Sequence, residues 1–149
     1  MNLFDTINEE IKKAMLAKEK TRLETLRFVK KEFLEAKTAK GSNGELTDDQ
    51  ALKIIQKMVK QRKETAIIYA EQNRPDLAEN ELAEVAVLET FLPKAMSEED
   101  LTLALTSIIE EVGAAGMKDM GKVMGVASKK LAGKADGKAI NEKVKQLLS

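Results

Sequence analysis

The chain has no cysteine and no histidine. Without thiols there is no disulfide, no cysteine nucleophile and no zinc site built on cysteine. Without imidazole the usual general base and the commonest metal ligand are missing, so Ser–His–Asp and Cys–His mechanisms cannot operate within the chain. Aromatics make up 3% of the residues, with no Trp and one Tyr, Tyr69. Prolines number two, Pro75 and Pro93. No apolar run reaches the roughly 18 residues that suggest a spanning helix, so no membrane association is expected. The opening residues MNLFDTINEE are acidic and lack the apolar core of a signal peptide. The expectation is a cytoplasmic protein.

What remains is rich in Ala, Leu, Glu, Lys and Met, all good helix formers. The length of 149 residues suits one domain or two small ones. Charged residues are 34% of the total, and the net charge of zero hides an asymmetry. Residues 1–46 and 47–74 each carry +2, residues 75–116 carry −9, and residues 117–149 carry +5. A basic C-terminal segment can meet nucleic acid, another anion or an acidic partner, or it can pair with the acidic middle of its own chain.

Strand signals are nearly absent, and helical periodicity runs throughout. Leu3, Ile7, Ile11 and Ala14 or Met15 form a first apolar stripe. Leu23, Leu26, Val29 or Lys30, and Phe33 form a second, offset near Lys18–Thr21. GSNG, Gly41 to Gly44, marks a loop. Thr47 with Gln50 has capping-box spacing and opens a helix carrying Leu52, Ile55, Val59, Ala66 and Tyr69. Pro75 suits the first turn of a fourth helix, with Leu77, Leu82, Val85, Leu88 and Phe91, which stops before Pro93. Ser97 then caps a helix bearing Leu101, Leu105, Ile108, Ile109 and Val112, with Glu98, Glu99 and Asp100 at its positively polarised start. Gly113 and Gly116 flank its end. Two short helices follow, from about Met117 to Leu131 and from about Lys138 to Leu148, the second capped by Asp136 and striped by Ile140, Val144, Leu147 and Leu148. The predicted fold is all-α: an N-terminal bundle of about four helices over residues 1–92, then a small three-helix C-terminal domain over residues 93–149.

Three segments, FLPKAMSEEDL, DMGKVMG and GKADGKAINEKVKQLL, resemble as a set the YqeY family of small bacterial proteins. EEIKKAMLAKEKTRLETLRFVKKE and KQRKE also fit, so the resemblance covers essentially the whole chain. One departure lies in VASKKLA, Val126 to Ala132, which lacks a Met–Pro pair found in many members. The family's C-terminal region is similar to the tail domain of GatB, a subunit of the glutamine-dependent aminoacyl-tRNA amidotransferase. That tail is a small helical tRNA-contacting domain, separate from the kinase and glutaminase centres. The resemblance therefore implies a non-catalytic tRNA-binding or tRNA-associated module. It also implies a carbon–nitrogen ligase label with glutamine as amido-N-donor, inherited from the larger enzyme. No catalytic machinery is evident, and an accessory role in an amidotransferase would need a nucleophile and an ATP site from another subunit. No cofactor is expected. Expected partners are tRNA or a protein of tRNA aminoacylation or amidation. A second reading is a protein–protein adaptor that works through the acidic helices from Pro75 to Glu111.

The residues that could carry RNA contact lie between Met120 and Lys138. Lys122, Lys129, Lys130, Lys134 and Lys138 can supply charge to phosphates, and Gly133 and Gly137 can shape the intervening loop. This is not a P-loop: Ala135 stands where Ser or Thr is required, and Ser128 where the first glycine is required. Gly121 and Gly125, nearly on one helix face, are expected to let another helix approach closely. Met117, Met120 and Met124 are expected in the core. With no aromatic after residue 116, RNA would be held through phosphate and shape rather than stacking. The basic side chains of the N-terminal half, from Lys12 to Lys31, and KQRKE, Lys60 to Glu64, are expected to form solvated faces with local ion pairs. Glu98, Glu99, Asp100, Glu110 and Glu111 are explained by the helix dipole and solvent, and no metal site is expected.

Overall fold

A computed structural model of the chain describes residues 2–149. Every regular element among them is helical, and the chain forms two compact units, Met1–Leu92 and Pro93–Ser149.

The first unit holds α1 (Leu3–Ala17), α2 (Lys20–Thr38), α3 (Asp48–Glu71) and α4 (Pro75–Glu89). The side chain of Asn2 accepts a hydrogen bond from the Asp5 N–H, and the Leu3 N–H donates to the Asp48 carboxylate at 2.8 Å, so two orphan donors at the α1 start are satisfied. The offset expected near Lys18 is a true break: Lys18 adopts a left-handed conformation with φ 58° and closes α1. Thr47 and Gln50 form the expected capping box of α3. Pro75 opens α4, where its missing N–H costs nothing.

The core joins Ile7 and Ala14 of α1, Leu26, Val29 and Phe33 of α2, Ala51, Ile55, Met58 and Val59 of α3, and Val85 and Leu88 of α4. Thr25 is the one buried polar residue described, and its hydroxyl donates to the Thr21 carbonyl at 2.8 Å, which offsets the cost of its burial. Two registers differ from expectation. Leu82 is half exposed, and Ala51 and Met58 are buried beside Ile55 and Val59, because α3 and α4 pack chiefly on each other and this contact selects their inner faces.

Two arginines expected on solvated faces tie helices together. Arg22 of α2 donates from Nη2 to Oε2 of Glu10 on α1 at 3.0 Å and lies 5.6 Å from the Phe91 ring centre. The guanidinium beside Glu10 holds that carboxyl below its usual range. Arg62 of α3 donates to Glu84 of α4 at 2.8 Å and sits 5.5 Å over the Phe28 ring of α2. Sequence spacing cannot reveal these pairs, because the partners stand on different helices.

The second unit holds α5 (Glu98–Val112), a single 3-10 turn (Met117–Asp119), α6 (Met120–Lys130) and α7 (Gly137–Leu148). Ser97 caps α5 by accepting from the Asp100 N–H at 3.1 Å, and Gly113 ends it at φ 68°. Leu101, Leu105 and Ile108 of α5 meet Val123 and Ala127 of α6, Leu131 after it, and Ile140 and Val144 of α7. Met120 and Met124 pack on this core, but Met117 is 47% exposed. The reason is the 3-10 turn: α6 starts at Met120, so Met117 lies outside the periodicity that would have turned it inward.

Candidate nucleic-acid interface

The face that α6 presents outward follows from the one it buries. At about 100° per residue, Met120, Val123, Met124 and Ala127 share the core side. The far side carries Gly121, Lys122, Gly125 and Lys129, all exposed. Lys122 and Lys129, seven residues apart, differ by only about 20° around the axis and about 10.5 Å along it.

The two glycines do not serve packing. A Cβ placed on Gly121 or Gly125 would meet no atom within 4 Å, because the helices that α6 touches lie on its opposite face. The expected close helix approach is therefore corrected to an open, bare strip of main chain. Gly125 lies in the helix interior, so Gly125→Ala is expected to stabilise the second unit by roughly 0.8–1.0 kcal/mol, with a smaller gain for Gly121→Ala in the first turn. Thermal unfolding of the two variants measures this.

Between α6 and α7 the chain turns on Gly133, which has φ 75°. The N–H groups of Lys134 and Ala135 donate to the Leu131 carbonyl at 3.0 and 3.3 Å, and the Met96 N–H donates to the Lys134 carbonyl at 3.1 Å. The turn's main chain is thus fastened while the Lys134 side chain stays exposed. Gly133→Ala is expected to cost about 1–2 kcal/mol from the left-handed backbone alone, read by denaturant titration. Gly137 does not share this role. It opens α7 as its first residue, with open space where a Cβ would stand, so the turn rests on Gly133. Asp136 occupies the N-cap position as expected, but its side chain makes no capping bond.

All five candidate lysines are exposed. Lys130 is engaged, its Nζ donating to Glu111 at 2.6 Å. Among the described residues, Lys122, Lys129, Lys134 and Lys138 form no ion pair. Elsewhere in the unit Lys143 pairs with Glu98 at 3.3 Å, so two lysines of the basic segment answer carboxylates of α5. Three exposed lysines of this unit escaped the sequence reading: Lys94 before α5, Lys118 on the 3-10 turn four residues before Lys122, and Lys145 near the end of α7. For Lys118 the spacing to Lys122 was the available signal. Among the described residues no group of three acidic side chains is arranged to hold a metal ion, and no helix is long and apolar enough to cross a membrane.

The class defined here is a small all-helical protein, a four-helix unit followed by a three-helix unit with a lysine-bearing surface. The chain belongs to the YqeY family: the model of the Yqey-like protein family matches residues 4–148. Its curated relatives include proteins named "Altered inheritance of mitochondria protein 41, mitochondrial". The one from Clavispora lusitaniae is 32% identical over 75% of this chain and 65% of its own length. The one from Pyrenophora tritici-repentis is 29% identical over 95% of this chain and 78% of its own length. The one from Meyerozyma guilliermondii is 36% identical over 60% of this chain and 46% of its own length. The chain thus spans under two thirds of the first and third of these relatives. Their names place those relatives in mitochondria and mention neither tRNA nor an amidotransferase.

Proposed function

We infer that this chain is a non-catalytic module that engages tRNA, or a complex carrying tRNA, through the phosphate-facing lysines of its C-terminal unit. The observation that carries the reading is the set of four exposed, unpaired lysines, Lys122, Lys129, Lys134 and Lys138, on α6, the fastened turn and the first turn of α7. Lys130 contributes less, since Glu111 already neutralises it. Gly133 fixes the turn that presents Lys134, and the bare main chain at Gly121 and Gly125 leaves a polymer backbone room beside Lys122 and Lys129. Such contacts position a nucleic acid without reading its sequence. The resemblance to the GatB tail supplies tRNA as the nucleic acid.

Binding of tRNA is measured against salt concentration. Four lysine–phosphate contacts should contribute about 3 to 4 to the log–log slope, and K122Q/K129Q/K134Q/K138Q should remove that share. No binding at low salt, or binding indifferent to salt, overturns the reading. The adaptor alternative has less support. Of the acidic residues it would use, Glu84, Glu89, Glu98 and Glu111 are each paired within their own unit.

A further inference from the structure

A second basic surface lies on the N-terminal unit, on lysines that the proposed function does not use. Along α3, Lys53, Lys57 and Lys60 follow at intervals of four and three, which sets them on one face over about 10.5 Å of helix. All three are exposed. Among the described residues none has a carboxylate partner, although the neighbouring cations Arg62 and Lys63 pair with Glu84 and Glu89 at 2.8 and 3.1 Å. Like charges at this spacing repel one another, and the exposed carboxylates Asp49 and Glu64, at i±4 from Lys53 and Lys60, stand only at the two ends, leaving Lys57 between two lysines.

The ladder begins at a cleft of about 560 Å³ between the end of α2 and the start of α3, lined by Ser42, Asn43, Gln50 and Lys53, with one carboxylate, Glu45. The side-chain oxygens of Ser42, Asn43 and Gln50 each accept one hydrogen bond from the loop. Ser42 Oγ accepts from the Gly44 N–H at 3.2 Å, Asn43 Oδ1 from the Glu45 N–H at 3.1 Å, and Gln50 Oε1 from the Thr47 N–H at 3.1 Å. Each of these oxygens keeps a second lone pair, and the same groups also offer donors: the two amide NH₂ groups, the hydroxyl hydrogen and the Lys53 ammonium. Ala36, Leu46 and Ile54 form the apolar part of the lining, and the donors beside them continue into the row of ammonium groups, an arrangement that suits an anion that repeats along a line.

We propose that the α3 face from this cleft through Lys60 is a second contact surface for the phosphodiester backbone of RNA. A protein partner fits less well, since Lys is depleted from protein interface cores and the ladder is bordered by Gln56 and Gln61 rather than by an aromatic anchor. A membrane surface fits less well for the same reason, because interfacial helices set Trp, Phe or Leu beside their lysines. No aromatic lies on the ladder, so contact is with the backbone and not with stacked bases.

The test uses the full chain and a mixed-sequence RNA hairpin, with binding followed by fluorescence anisotropy from low to moderate salt. K53Q/K57Q/K60Q should retain helicity and lower the log–log salt slope by about 2–3, and K57Q alone should lower it by about 1. The same loss should appear on the K122Q/K129Q/K134Q/K138Q background. Loss of binding in the α3 variant with none in the C-terminal variant would sustain this surface and remove the C-terminal one. An α3 variant whose slope and affinity match the wild type would overturn it, whatever the C-terminal variant does. So would a wild-type chain that binds phosphatidylserine vesicles through these lysines but not the hairpin.

Discussion

Phe33→Ala is expected to lower the stability of the N-terminal unit by about 3–5 kcal/mol. Phe33 is fully buried on α2, and its ring centre lies 6.4 Å from that of Phe4 on α1. It is the largest fully buried side chain described, in a protein with only 3% aromatic residues. The cavity would open beside the Phe4 ring in a core of Ile, Leu, Val, Met and Ala side chains, and such close-packed surroundings collapse only in part. A typical domain is stable by only about 5–15 kcal/mol, so the change should move the urea midpoint of helix loss far toward zero. Phe33→Leu keeps most of the volume and should cost much less. Equal losses in the two variants, followed by circular dichroism, would contradict this account.

Leu105→Ala should unfold much of the C-terminal unit while sparing the N-terminal one. Leu105 is fully buried at the middle of α5, where it joins the cluster contributed by α6 and α7. Truncating a buried Leu costs about 2–5 kcal/mol. A single core in a unit below about 70–80 residues rarely supplies more than 3–5 kcal/mol, and Pro93–Ser149 is below that size. Amide hydrogen exchange resolved along the chain is the measurement. Protection should fall across α5, α6 and α7 and persist in α1 to α4. Uniform loss over both units would show that the two cores do not respond separately.

The helices were legible because their signals are local. Apolar spacing, the Thr47–Gln50 box, Ser97 and the two prolines each act within a few residues, and each sits at the predicted element. Legibility failed where a contact partner, or its absence, decided the outcome. The glycine pair of α6 has helix-packing spacing, yet which side of a helix meets a neighbour depends on where the other helices lie. Here they lie opposite the glycines. Arg22 and Arg62 read as members of mixed charge runs, and only helix packing brings Glu10 and Glu84 to them. The candidate lysines were visible as residues. Their division into engaged and unpaired was not, because the carboxylate that neutralises Lys130 comes from α5, 19 positions earlier.

By itself the amino-acid sequence determined the all-helical character, the helix starts and stops, the chemistry closed to a chain without Cys or His, and the family. These follow from backbone geometry and residue type, which act over a turn or two. The tertiary structure alone decided which charges are consumed at home and which face outward. Charge pairing is a matter of ångströms between side chains on different helices, and no spacing along the chain encodes that distance. On that basis Lys130 pairs with Glu111, Lys122, Lys129, Lys134 and Lys138 stay open, and α3 shows an unpaired row of ammonium groups.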